Sequence, residues 1–132
     1  MTGGLAGPRR PRSTRDERGA VTAELAVALP VLLAVTAGLA WLLAVAIGQV
    51  RTVDAARETA RALARGDEES AAVAVGQRVA PDGVTISVRR KGDRVVVHAS
   101  GRMAGPGGLF TAIPGAQLDA EAVALAEEGG AP

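Results

Sequence analysis

From Leu25 to Val50 the chain runs 26 consecutive residues without a charge. Few structures accept such a run. As an α-helix it would be about 39 Å long at ~1.5 Å per residue, against a bilayer hydrocarbon core of ~30 Å. A cleaved secretory signal uses an apolar stretch of only about 7–15 residues. The run therefore predicts a helix that crosses a membrane once. Ala44-Val45-Ala46 is an A-x-A triplet, which leaves a secreted product cut near Ala46 as a competing reading. Trp41 lies roughly 26 Å along the axis from Glu24. It is either an anchor at the outer interface, where tryptophan is enriched, or an ordinary packing residue.

Composition supports a lipid-facing segment. The chain is 48% hydrophobic but only 2% aromatic, with one Trp, one Phe and no Tyr. A soluble core of this size usually draws on several aromatics, because each buries much area. At 132 residues there is room for one small domain. Five arginines stand in residues 1–19 against Asp16 and Glu17, and the rest of the chain is slightly acidic. A basic block directly before an apolar run reads as a cytoplasmic anchor under the positive-inside rule, rather than as a nucleic-acid arm. The absence of Cys removes disulfides, thiol catalysis and Cys-type zinc sites.

Past the span the pattern turns amphipathic. Val53, Ala56, Ala60 and Leu63 form a helical stripe. Asp54–Arg57 and Glu58–Arg61 are opposite charges three residues apart. Gly66 is a plausible stop, so one helix from about Val21 to Arg65 is expected. Glu68 to Val79 predicts a short helix, ended by the turn signal Pro81-Asp82-Gly83. Val84, Ile86 and Val88, then Val95, Val97 and Ala99, alternate with polar or outward positions around Lys91-Gly92-Asp93, which predicts a β-hairpin. Residues 101–116 are a Gly/Pro-rich loop with Leu109, Phe110 and Ile113 as candidate anchors. Residues 118–125 fit a strand by alternation and a helix by Ala/Glu content.

The fold expected is α+β: a long N-terminal transmembrane helix, continued as an amphipathic helix and packed by a small antiparallel sheet. The divisions are a basic cytoplasmic leader over 1–19, a transmembrane helix over 20–50, an amphipathic extension over 51–66 and a small exported domain over 67–132. That domain is marginal for a core of its own, and packing its sheet on the Val53–Leu63 stripe would supply a second layer.

The stretch Arg18-Gly19-Ala20-Val21-Thr22-Ala23-Glu24, followed at once by the apolar run, resembles a type IV prepilin. The resemblance implies cleavage between Gly19 and Ala20 by a membrane peptidase, leaving Glu24 at the fifth position of the mature chain. It further implies that Glu24 pairs with the N-terminal amine of a neighbouring subunit. A carboxylate costs ~2.5–3.5 kcal/mol at the centre of a membrane helix, so one retained near the span suggests a partner. The plainer reading is that Glu24 snorkels at the cytoplasmic face. Pro30 removes a backbone hydrogen bond and predicts a kink. Pilins often carry a proline there, and membrane helices in general tolerate one.

Arg51-Thr52-Val53-Asp54-Ala55-Ala56-Arg57-Glu58-Thr59-Ala60-Arg61 narrows the resemblance to the TadE-like minor pilins, especially actinobacterial ones, which have a D-A-A-R-E-x-A-R stretch after the span. Arg51, Asp54, Arg57, Glu58 and Arg61 are the residues that carry it. Their general layout tips residues 118–125 toward a third strand. The resemblance implies a minor pilin of a tight-adherence (Flp-type) system, with the membrane, a prepilin peptidase, other pilins, a secretion ATPase and assembly-platform proteins as partners. It implies no cofactor, nucleic acid or small-molecule substrate. Ala20 departs from the phenylalanine that many major pilins carry after the cut.

No catalytic or metal-binding constellation stands out. His98 is the only histidine and lies in an expected strand beside Ser87 and Ser100. A triad needs a third group that orients the base, and none is evident. Gly105-Pro106-Gly107-Gly108 lacks the lysine of a phosphate loop. Arg89-Arg90-Lys91 with Arg94 reads as a solvated hairpin end.

Overall fold

The computed structural model describes residues 1–4, 7, 14–108 and 111–125. The fold is α+β. Its elements are α1 (Thr14–Ala64), α2 (Glu69–Val79), β1 (Val84–Lys91), β2 (Arg94–Met103) and β3 (Ala116–Leu125). The chain divides into two units, Met1–Gly38 and Leu39–Pro132.

α1 begins at Thr14, ahead of the start expected near Val21, so Gly19 and Ala20 are helical rather than extended. Once the apolar helix exists, each residue added at its end needs no new nucleus. Glu17 in the first turn also complements the helix dipole. The helix ends at Ala64, one residue before the end expected at Arg65, in a Schellman motif. Gly66 donates to Leu63 O at 3.0 Å and Asp67 to Ala62 O at 3.1 Å. The φ of +87° at Gly66 is open to glycine and costly for most other residues.

Most large apolar side chains from Val21 to Val50 are 48–70% exposed, while Trp41 and Val45 are half-buried, Val45 against the core. The unit around each exposed one leaves this surface uncovered. α1 is long and apolar enough to cross a membrane, and a bilayer would cover it.

In the second unit the three strands form an antiparallel meander in the order β1-β2-β3. β1 and β2 are joined by the two-residue turn Gly92-Asp93, which fixes Lys91 opposite Arg94 and Ile86 opposite Ala99. Residues 116–125 are a strand, as the family likeness suggested, pairing Leu118 with Gly101 and Ala120 with Ala99. The expected loop is shorter than 101–116, because β2 runs on to Met103 and β3 starts at Ala116. Ile113 is half-buried, while Leu109 and Phe110 lie outside the described residues.

Period-2 burial places Val84 and Ile86, Val95, Val97 and Ala99, and Leu118 and Ala120 on the inner face. They share one core with Ala55, Ala56, Ala60, Ala62 and Leu63 of α1 and Ala72 of α2. Leu118 and Val97 are fully buried, and each such burial contributes about 1.5–3 kcal/mol. The buried face of α1 is wider than the expected stripe, because α2 packs on it as well as the sheet. Thr52 and Thr59 are fully buried, yet their hydroxyls donate to Gly48 O at 2.8 Å and Ala55 O at 2.9 Å. No donor is stranded there.

Two contacts seat the sheet. A side chain at Gly48 would run into Met103 Cε and Leu118 Cδ1. One turn position on, Gln49 acts as a one-residue strand partner. Its Nε2 donates to Asp119 O at 2.7 Å, and Asp119 N donates to its Oε1 at 3.3 Å. This covers part of the open edge of β3. Gln49→Ala is expected to lower the stability of this unit by about 1–2 kcal/mol, read by denaturation of the detergent-solubilised chain. A change within about 0.5 kcal/mol would mean that the bidentate contact contributes nothing net.

Candidate functional site

Two stretches of α1 carry the residues singled out by sequence. The first lies in unit one. Gly19, Ala20 and Glu24 are all exposed on the helix surface. A side chain built at Gly19 would meet nothing within 4 Å, so this glycine is not required by packing. It is a weak point of the helix, since glycine costs roughly 1 kcal/mol relative to alanine there. Thr22 Oγ1 donates to Arg18 O at 2.9 Å, bracing the turn that contains Gly19. Pro30 is inside α1, and its missing N–H leaves Ala26 O without its helical donor. Glu24 is the only ionisable residue along an open apolar trough of about 910 Å³, lined from Ala23 to Val35.

The second stretch lies in unit two. There the pattern D-A-A-R-E-x-A-R has a direct spatial reading. Ala55, Ala56, Thr59 and Ala60 face inward, while Asp54, Arg57 and Arg61 are exposed and Glu58 is half-buried. Small residues are needed inward because α2 crosses α1 closely. A Cβ at Gly76 would collide with Thr59 Oγ1, and would lie 2.8 Å from both Ala55 O and Ile86 Cδ1. Of the two ion pairs expected, Glu58–Arg61 forms at 3.6 Å. Asp54 and Arg57 do not close a pair. Instead Asp54, Arg57, Glu58 and Arg61 line a small cleft of about 250 Å³ against Val79 of α2. Arg51 stands apart from them, on a separate cleft with Arg102.

Sequence reading missed Gly48, Gln49 and Gly76. A glycine in the middle of an 11-residue helix was the available signal for Gly76, since it lowers helix propensity and so asks for a packing reason.

His98 Nε2 lies 2.8 Å from Asp119 Oδ2 on the outer sheet face. Ser87 Oγ donates to the backbone oxygen of His98, not to its ring. Among the described residues no cluster of three or more His, Cys, Asp or Glu is arranged to hold a metal ion. Trp41 Nε1 is buried with no hydrogen-bond partner among the described residues.

The TadE-like protein family matches residues 19–61, which takes in both stretches. The protein called apoptosis inhibitor Rv3655c, from Mycobacterium tuberculosis, is 38% identical over 107 residues, covering 81% of this chain and 78% of the relative. No solved structure matches. The shared region runs well beyond the apolar helix and into the unit built on it, and the chain belongs to the TadE-like family of Tad pilus-associated proteins.

Proposed function

We propose that the chain is a minor pilin or pseudopilin, a structural or assembly component of a Tad-type (Flp) pilus or related secretion system. Residues 1–19 are its cytoplasmic leader. A prepilin peptidase cuts after Gly19, the mature chain starts at Ala20, and residues 20–50 hold it in the membrane. The extension over 51–66 and the α+β domain over 67–132 lie on the outer side. There they meet other pilins and the proteins of the assembly platform.

One observation carries this reading. Glycine, then a carboxylate five residues on, then 26 uncharged residues, all fall on a single helix. Exposure of Gly19 and its low helix propensity make this the easiest place to unwind into a peptidase. Glu24 sits where a charge needs a partner once the helix is in lipid.

The test is the N-terminal sequence of the membrane-bound product, made with and without a prepilin peptidase. A start at Ala20 only when the peptidase is present is the expected result. An intact N-terminus under both conditions overturns the reading. It would favour an uncleaved signal-anchor protein whose outer domain binds a partner.

A further inference from the structure

The first charge after the apolar run is Arg51, and it does not stand alone. It lines a cleft of about 610 Å³ together with Arg102, near the end of β2. The other walls are Ala80, Pro81, Asp82 and Gly83 from the α2–β1 turn, with Met103 and Ala104. The volume lies within the range of small-ligand sites, about 300–1,000 Å³. We propose that this cleft binds the phosphate of an anionic phospholipid headgroup in the leaflet where the helix leaves the membrane. This rests on the membrane-spanning reading of α1.

Position is the first argument. Arg51 is the first charged residue after 26 uncharged ones. A helix of ~1.5 Å per residue needs about 20 residues to cross the ~30 Å hydrocarbon core. Arg51 is therefore the first side chain that a helix leaving the bilayer offers to the charged headgroup layer. The rest of the cleft sits at the same end of the unit, because Met103 packs against Gly48, less than one turn before Arg51. The β1–β2 hairpin tip, with Arg89, Lys91 and Arg94, is at the opposite end of the sheet.

Charge is the second argument. Neither Arg51 nor Arg102 forms an ion pair among the described residues, whereas Arg61, Arg65 and Arg90 each do. Asp82 lines the same cleft but lies beyond ion-pair distance of both arginines. Asp54, one turn further along α1, belongs to the other cleft. Arg51 and Arg102 both line the cleft, and a guanidinium group can grip a phosphate through two N–H donors. Met103 and Ala104 offer the apolar border that a glycerol backbone needs. The turn itself is held rigid. Val84 N donates to Pro81 O at 3.2 Å, and Gly83 takes a φ of +82° that permits this type II geometry.

The experiment uses the full chain in nanodiscs of phosphatidylcholine doped with dansyl-labelled phosphatidylethanolamine, an anionic probe. Trp41, the sole tryptophan, is the energy-transfer donor. Phosphatidylglycerol is expected to displace the probe at about fivefold lower mole fraction than added phosphatidylcholine, the preference one surface arginine typically confers. Arg51→Gln with Arg102→Gln should erase the preference. Neutralising Arg89, Lys91 and Arg94 together should leave it intact.

Equal displacement by both lipids, or a preference surviving in the Arg51/Arg102 variant, overturns the proposal. Loss of the preference in millimolar inorganic phosphate also overturns it, because the cleft would then be a free-anion site. Alkaline carbonate washing of vesicles tests the spanning reading separately. Release of the chain would overturn that reading, while retention without lipid preference counts against the cleft alone.

Discussion

Replacing Gly76 by valine is expected to cost the C-terminal unit about 3 kcal/mol, a large share of the roughly 5–15 kcal/mol by which folded domains are stable. The reason is the crossing of α2 over α1. The new Cβ would enter the space of Thr59 Oγ1 and press on Ala55 O and Ile86 Cδ1 at 2.8 Å. One of these neighbours is backbone and cannot rotate away. An 11-residue helix is marginal by itself, so α2 depends on this contact and would be displaced before α1 moved. Its loss would uncover Ala55, Ala56 and Ile86 together. The measurement is denaturant unfolding of the solubilised chain, followed by circular dichroism. Gly76→Ala should cost less, and adding Thr59→Ala should recover part of the loss, since it removes the hydroxyl but not the carbonyl. Stability of the valine variant within about 0.5 kcal/mol of the parent would show that α2 does not pack as described.

This contact also marks the limit of what the sequence discloses. The elements were legible because their signals are local. The uncharged run marked the helix, the alternation of Val84, Ile86 and Val88 marked a strand, and Gly66 marked a helix end. β3 was ambiguous by periodicity, since alanine suits either state. Its identity follows from pairing with β2, a tertiary fact. The start of α1 was misplaced for a related reason. Residues 14–19 carry no apolar periodicity to mark a helix, but they extend one already nucleated by its apolar part. Gln49 could not have been found at all, because its partner Asp119 is 70 residues away. Of the charged residues after the apolar run, Asp54, Arg57 and Arg61 are exposed and Glu58 is half-buried, and their division from Arg51 between two clefts is set by where α2 and β2 end.

Glu24→Ala is expected to leave cleavage before Ala20 unchanged while reducing incorporation into the pilus, or into its assembly intermediate, by at least about tenfold. The two effects separate because they use different atoms. A peptidase acts on the backbone at Gly19, and the Glu24 side chain is more than one helical turn away. In the proposed assembly the carboxylate meets the amine that cleavage releases on a neighbouring subunit. A hydrogen bond involving charge contributes about 1.5–3 kcal/mol, which is roughly 10–150-fold in an association constant. Lipid strengthens the dependence, since an unpaired carboxylate beside Leu25, Val27 and Ala28 is expensive for the lone subunit and is relieved only on pairing. Glu24→Gln separates charge from shape. It keeps the size and a hydrogen-bonding oxygen but cannot neutralise an ammonium group, so it should assemble nearly as poorly as alanine. Glu24→Asp keeps the charge on a shorter arm and should retain part of the activity. The plainer role, a carboxylate snorkelling to the membrane surface, makes the opposite prediction. All three variants would then be cut and incorporated like the parent, and alanine would insert into the membrane somewhat more readily. Quantifying cut chain in sheared surface filaments against cut chain in the membrane, variant by variant, decides between these roles.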